Sequence, residues 1–270
     1  MSEFPHPTRT VLVTGATSGI GFALARRLVD DGATVLVHAR SQAEGDLALE
    51  ELVKDGAEPL RLRLVVADFA RLSEVRELAD TVIKTTERLD TLVNNAAMAG
   101  PQGRTLTEDG HEITLQVGYL APVLLSTLLA PLLAEVGGRI VNVSSDMHKA
   151  GSIGWNDLAR NKFYLPLPVY TQAKLALTMF GRTFAEQRNG EISVVSVNPG
   201  TVRTPLLRIY DTRGTAPAEA AEILAEYCPP ERPVISGGYY DRREPAKPAA
   251  LVDNATARTR LAKLTGQLLG

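Results

Sequence analysis

The stretch Tyr170-Thr171-Gln172-Ala173-Lys174 sets a phenol and an ammonium four residues apart, just ahead of the apolar run Leu175 to Phe180. In a helix, residues i and i+4 share a face, so the two polar ends can meet each other or a common ligand. A phenol beside a cation is suited to passing a proton to or from a reacting oxygen. Taken alone, the pair reads more readily as part of an amphipathic helix whose lysine reaches solvent and whose hydroxyl stays wet. Its neighbours in sequence have to decide between the two.

Several other groups have types and positions that suit a ligand. Thr14 to Gly21 reads TGATSGIG, with Gly15, Gly19 and Gly21 between a β-branched run and a helical pattern. Glycines there permit a tight turn and the close approach of a diphosphate, whose charge would sit on the exposed N–H groups and positive dipole end of the helix. The spacing GxxxGxG differs from the GxGxxG of the usual dinucleotide fingerprint. Ala39-Arg40 ends the second apolar run, about where a dinucleotide fold reads the ribose. A carboxylate there would repel a 2′-phosphate, whereas a guanidinium can bind one bidentately, so NADPH is expected over NADH. Asn94-Asn95-Ala96-Ala97, Asn142 to Asp146 (NVSSD) and Asn198 to Thr204 (NPGTVRT) close three further runs. Each could simply end a strand.

The elements that would hold these groups alternate. Strands are predicted at Thr10 to Val13, Thr34 to Val37, Leu60 to Val66, Thr91 to Val93, Arg139 to Val143, Ile192 to Val197 and about Pro233 to Tyr240. Helices are predicted at Ile20 to Val29, Ala43 to Lys54, around Ser73 to Thr86, about Glu108 to Glu135, Tyr170 to Gln187, roughly Ala216 to Tyr227 and about Leu251 to Leu269. Alternation of short, almost wholly apolar strands with helices implies an α/β fold, a doubly wound parallel sheet of the Rossmann type covered on both faces. In such sheets ligands bind outside the carboxyl ends of the strands, where all the groups above fall. With 270 residues, no internal repeat and no shift in composition, one NAD(P)-binding domain over 1–270 is expected, with 205–233 a substrate flap inside it.

Composition narrows the partners. A net charge of −2 and a pI near 6.1 give no basic surplus for nucleic acid. The single Cys228 and four scattered histidines provide no disulfide and no metal-ligand cluster. The N-terminus lacks a signal-peptide pattern, and the apolar runs read as too interrupted for a membrane span. A cytoplasmic protein acting on a small molecule is the expectation.

TGATSGIG, the Asp68 of ADF, NNAA, NVSS, YTQAK and NPGTVRT occur together in an order and at intervals that resemble the short-chain dehydrogenase/reductase family. The long gap between Ser145 and Tyr170, and SGGYY near the C-terminus, look like its retinol-dehydrogenase-like branch. The resemblance implies a nicotinamide-dependent hydride transfer to or from a carbonyl or alcohol carbon, with NADP(H) the cofactor expected from Arg40. Tyr170 would act as general acid or base, Ser145 would hydrogen-bond the same oxygen, and Lys174 would bind the nicotinamide ribose and lower the phenol pKa. A cation about 5 Å away at an effective dielectric near 20 contributes roughly 3 kcal/mol, about 2 pKa units toward neutrality. By the same resemblance Gly15, Thr17, Ser18, Gly19, Ile20 and Gly21 would contact phosphate or ribose, Asp68 the adenine and Asn95 the adenosine ribose side. Pro199, Gly200, Val202 and Thr204 would line the nicotinamide, and a homo-oligomer built on the long apolar helix and the Tyr170 helix is implied.

One departure stands out. Where many members carry an Asn that kinks the long helix and holds a proton-relaying water, this chain has Gly118. Glycine can keep the irregularity through its backbone but supplies no amide. An active reductase is expected, with a catalytically weak cofactor-binding protein as the alternative. Trp155, Phe163, Tyr164, Leu165, Leu206, Leu207 and Tyr210 stand in the two loops that would wall the substrate, which suits a medium-sized apolar or aromatic ketone. Packing within the loops would account for the same residues.

Overall fold

The structure, a computed structural model, describes residues 8–203 and 214–270. The chain runs through β1 (Thr10–Val13), α1 (Gly19–Asp30), β2 (Thr34–Ala39), α2 (Gln42–Lys54), β3 (Leu62–Val66), α3 (Leu72–Thr85) and β4 (Thr91–Asn94). It continues through α4 (Ile113–Leu115), a π-helical segment (Gln116–Leu120), α5 (Ala121–Ala134), β5 (Arg139–Val143), α6 (Pro166–Arg188) and β6 (Ser193–Asn198). After the segment outside the described residues come α7 (Pro217–Ala225), β7 (Gly238–Asp241), β8 (Glu244–Pro245), α8 (Ala250–Asp253) and α9 (Ala255–Leu269).

The strands form one sheet in the order β3-β2-β1-β4-β5-β6-β7-β8, parallel throughout except for β8, which pairs antiparallel with β7. Successive side chains alternate between faces. Val11 and Val13 therefore pack with Val35, Val141 and Val195 under α1, α2 and α7. Leu12 meets Leu36, Leu92 and Ile140 on the opposite face, beneath α3, α5 and α6. A third cluster joins the π segment and α6 to α8 and α9. The expected doubly wound α/β architecture is present.

Several boundaries differ from the sequence expectation for local reasons. Pro59-Leu60-Arg61 makes a 3-10 turn, which delays β3 to Leu62. The long helix starts at Ile113 rather than near Glu108, because 107–112 is a turn with Gly110 at φ 80° and Glu112 caps the helix by accepting from the Thr114 and Leu115 amides. Pro166, whose fixed φ suits a first helical position, opens α6 a full turn before Tyr170. Tyr170 and Lys174 thus sit inside the helix, not at its mouth. β7 begins only at Gly238, and Asn254 splits the terminal helix by capping α9.

The π segment is centred on Gly118, so the helix irregularity persists without the side-chain amide. A Cβ at Gly118 would lie 3.4 Å from the Ala173 Cβ, which shows how closely this segment approaches α6 between Tyr170 and Lys174. One sequence expectation needs correction here. Ile113–Ala134 spans 22 residues with a mean hydropathy of 1.9, long and apolar enough by length and composition to cross a membrane. In the fold, 72% of its most apolar window is buried, since α5 packs on the sheet beside α3 and α6. Burial within the protomer fits these residues as well as the symmetric interface expected of this helix and the Tyr170 helix.

Of the expected flap at 205–233, only 214–233 falls in the described residues, and most of that is core. Ala220, Ala221, Ile223, Leu224 and Ala225 of α7 are buried against α1. The loop after α7 is tied to the sheet by Arg139, 1% exposed, whose guanidinium donates to Ser193 Oγ and to the carbonyls of Tyr227, Pro229, Pro230 and Arg232.

The β1–α1 turn is the tightest close approach in the fold. Gly15 and Gly19 adopt φ of 63° and 56°. A Cβ on Gly21 would lie 2.2 Å from the Gly15 carbonyl oxygen and 2.5 Å from Asn95 Nδ2, so the turn and α1 can close only around a hydrogen atom. Gly21→Ala is expected to lower stability by about 1–3 kcal/mol, as overpacking does. The fall should appear in thermal unfolding as about 2–4 °C of Tm per kcal/mol for a chain of this size; an unchanged Tm would contradict the packing described.

Candidate active site

The carboxyl ends of the strands open into a single cleft of about 1220 Å³, larger than the roughly 300–1,000 Å³ typical of a site for one small ligand. It extends from Arg40 and Asp68 at the β2 and β3 ends to Pro199, Gly200 and Arg242 at the β6 and β7 ends. An elongated ligand with a second molecule at one end suits that shape.

At the β1 end, Thr17, Ser18, Gly19 and Ile20 line the cleft. Ser18 is the N-cap of α1 but makes no side-chain capping bond, which leaves the helix end unneutralised and suited to phosphate. Gly15 lines the cleft and Gly21 stands behind it, its missing side chain letting the turn close. Asn95, expected at a ribose, lines the cleft yet commits its side-chain amide inward: Nδ2 donates to the carbonyls of Thr14 (2.8 Å) and Gly15 (3.1 Å). Thr14 Oγ1 donates to the Val93 carbonyl and accepts from the amides of Asn95 and Ala96. These bonds lock the turn to the end of β4.

His38 completes the lock, and nothing in its spacing announces this. Buried on β2, it accepts from the Gly15 amide at Nδ1 (2.9 Å) and lies 2.9 Å from the Ala67 carbonyl at Nε2, so the proton resides on Nε2. Burial lowers its pKa to about 4, which keeps the ring neutral and this tautomer in place. Arg40 projects from the end of β2 with its side chain 68% exposed and paired to Glu44 one helical turn on. Asp68 caps its own turn by accepting from the Ala70 amide at 2.9 Å and still faces the cleft.

Ser145, Tyr170 and Lys174 converge at the end of β5. Tyr170 and Lys174 are 5% and 3% exposed, on one face of α6. The Tyr170 hydroxyl is hydrogen-bonded to Ser145, whose Oγ also accepts from the Met147 amide at 3.2 Å. Lys174 Nζ donates to the Val143 carbonyl at 2.7 Å and lies 5.8 Å from the centre of the Tyr170 ring. Both groups line the cleft.

Their electrostatics differ from the expectation that the ammonium draws the phenol toward neutrality. For the chain by itself, burial pushes the Tyr170 pKa up to about 12, against a smaller lowering by the Ser145 hydrogen bond. Burial also brings Lys174 down to about 8. A lowering by about two pKa units requires a full ammonium charge acting through a screened medium. In a site this dry, desolvation of the phenolate outweighs it.

Two further residues support this centre without a sequence signal. His148, fully buried, lies 2.7 Å from the Ser145 carbonyl at Nδ1 and accepts from the Ala249 amide at Nε2, which places the proton on Nδ1. It stacks on Tyr239 at 4.6 Å and so joins the Ser145 loop to the C-terminal segment. Gln172, on the opposite face of α6 from the cleft, accepts from the Gly154 amide and Arg160 Nε and donates to the Leu158 carbonyl. It thereby folds down the long loop between Ser145 and Tyr170.

Pro199, Gly200 and Val202 line the cleft as expected; Thr204, with Leu206, Leu207 and Tyr210, lies outside the described residues. The aromatic wall expected from the 151–165 loop does not form. Trp155 packs in the third core cluster with the Arg260 guanidinium 4.8 Å above its ring, Tyr164 donates to the Pro101 carbonyl, and Phe163 and Leu165 are exposed. Met98, Ala99, Ile113, Val117 and Met147 supply the apolar lining instead.

Comparison with known proteins agrees with this geometry. Residues 9–213 match the family model for short chain dehydrogenases. Retinol dehydrogenase 13 of Mus musculus is 38% identical over 210 residues, covering 77% of this chain and 62% of that protein. A Streptomyces sp. (strain C5) protein described as a daunorubicin C-13 ketoreductase, DnrU, is 36% identical over 254 residues, covering 88% and 86%. Among solved structures, an uncharacterized protein from Mycobacterium paratuberculosis superposes with a TM-score of 0.81 at 27% identity, over 99% of this chain and 96% of that one. The chain belongs to the short-chain dehydrogenase family, in its retinol-dehydrogenase-like branch.

Proposed function

We propose that the protein is an NADP(H)-dependent oxidoreductase that interconverts a carbonyl and a secondary alcohol on a medium-sized substrate with an apolar or aromatic body. The observation that carries this reading is the hydrogen-bonded Tyr170–Ser145 pair, one helical turn from a buried Lys174, at the end of a cleft whose other end bears Arg40. The uncapped α1 terminus, the glycine cradle and the small residues Ala96 and Ala97 fit a dinucleotide. When bound, it would supply or accept the hydride.

The chain's own residues manage the oxygen. Ser145 hydrogen-bonds the substrate oxygen and shares it with Tyr170, which gives up its phenolic proton during reduction and recovers it during oxidation. A tyrosine held protonated up to about 12 favours the acid role. Lys174, oriented by the Val143 carbonyl, faces the same cleft and is positioned to hold the ribose beside the nicotinamide and to stabilise the phenolate as the proton leaves. Arg40 would exchange its partner Glu44 for a 2′-phosphate. The names of the ketoreductase and retinol dehydrogenase relatives suit a bulky, largely apolar ketone or alcohol, and the Met98, Ile113, Val117 and Met147 lining supports that. Cytoplasmic location and self-association complete the reading; fractionation and light scattering test them.

Tyr170→Phe is expected to cut kcat by about 10²–10⁴-fold, the span of general acid–base catalysis, in steady-state NADPH oxidation with a ketone panel. Cofactor binding with no turnover in wild type above that variant would favour the catalytically weak alternative. Arg40→Ala should weaken NADPH about 10-fold or more, the loss of a charge-assisted bond, while NADH binding changes little; titration of cofactor fluorescence reads both. For pH, Tyr170 stays protonated well past neutrality, whereas Lys174 is cationic below about 8 and loses its proton as pH rises through that value. Reduction should therefore hold level through neutral pH and fall above about 8. A rate that climbs across that interval would contradict the assignment.

A further inference from the structure

Arg242 is the residue of the cleft that the roles above leave unused. It lies in the two-residue connection between β7 and β8, where Asp241 pairs with Glu244, and adopts φ 55°. Glycine or asparagine is the usual occupant of such backbone. An arginine held there by tertiary contacts points to a use for its side chain. Its amide donates to the Asn198 carbonyl at 2.7 Å, and its carbonyl accepts from the Tyr227 hydroxyl at 2.9 Å. The backbone is thus anchored from β6 and from the end of α7.

The guanidinium lies over Gly200: a Cβ on that glycine would come 3.2 Å from Arg242 Nε and 3.4 Å from one terminal nitrogen. Among the described residues it makes no ion pair, whereas its neighbour Arg243 is paired with Glu226 at 2.6 Å. The two carboxylates that line the same end of the cleft, Asp241 and Asp146, are engaged elsewhere. Asp241 accepts from Asn198 Nδ2 at 2.8 Å, and Asp146 is paired with Lys149 at 2.7 Å. An exposed cation therefore faces the cleft with its charge uncommitted among these groups.

Sheet register fixes what it can reach. Val143, Val197 and Tyr240 are abreast in β5, β6 and β7, and Ser145, Pro199 and Arg242 each follow two residues later, just past those strand ends. Two strand spacings separate Ser145 from Arg242, about 10 Å, within reach of a long side chain and one substrate molecule. The phosphate end of the cleft is at β1, four spacings from β7, roughly 19 Å across the sheet. A cofactor diphosphate is beyond the guanidinium.

We propose that Arg242 is a specificity-determining residue that binds an anionic substituent, a carboxylate, on the substrate end away from the reacting carbonyl. This rests on the redox reading of the cleft and adds the substrate class to it: an apolar or aromatic ketone that carries an acid.

The test is a matched pair of ketones, 4-acetylbenzoate and 4-acetylbenzamide, with NADPH. Wild type is expected to favour the carboxylate by about 10-fold or more in kcat/KM, the scale of one charge-assisted bond. Arg242→Asn, which suits the left-handed backbone and so spares the turn, should bring the ratio near one, and Arg242→Lys should restore part of it. Equal use of the two ketones by wild type, or an unchanged ratio in Arg242→Asn, would overturn the proposal. So would a loss in that variant confined to NADPH affinity. If neither ketone is reduced by wild type, the redox reading fails for this class, and calorimetric titration of NADP-loaded protein with 4-acetylbenzoate decides the Arg242 assignment separately. Binding that disappears in Arg242→Asn supports it; no binding, or binding that survives the substitution, refutes it.

Discussion

A lysine inside the protein is the constraint around which this molecule is arranged. Lys174 is 3% exposed, and its ammonium donates to the carbonyl of Val143, the last residue of β5. Burying a charge is unfavourable unless it is paired or hydrogen-bonded, and the depressed pKa of about 8 records that penalty. The fold tolerates it because the same group faces the cleft. Everything nearby serves to keep it there: α6 starts a turn early at Pro166, Gly118 lets the π segment close against Ala173, and Thr178 returns a hydrogen bond to the Lys174 carbonyl at 2.8 Å.

The rest of the cleft depends on polar groups that face inward. Asn95, Thr14 and His38 spend their hydrogen bonds on the backbone of the glycine turn, and His148 does the same for Ser145. In both histidines one ring nitrogen accepts an amide proton, so each must be neutral and in a single tautomer. On the proposed reading, a turn that would present its amides to a phosphate and a serine that would meet a carbonyl lose little freedom on binding, because their backbone is already held. Preorganisation of this kind is where binding and catalysis gain most from a rigid scaffold.

Parallel strand order also separates tasks along one line. Arg40 and Asp68 at the β2 and β3 ends, the α1 terminus at β1, Ser145 at β5, Pro199 at β6 and Arg242 at β7 follow one another across the sheet. Distances between tasks are therefore multiples of the strand spacing. A cation at one end cannot substitute for a cation at the other.

Much of this was legible in the residues. Alternation of β-branched runs and helical patterns specifies the layered α/β fold, because buried parallel strands need apolar side chains on both faces. The glycines, the Ser145 loop and the Tyr170–Lys174 spacing mark the strand ends, and Gly118 announces a helix irregularity that the π segment displays. The sequence also carries the helical spacing that sets phenol and ammonium on one face. What it does not contain is the dielectric around them, the tautomers of His38 and His148, the inward turn of Asn95, the burial of α5, or the meeting of Arg242 with Gly200 across 42 positions of chain. Those follow from which surfaces lose water when distant segments pack. Local spacing fixes direction along one element, and only the assembled layers fix solvation, partners and distance.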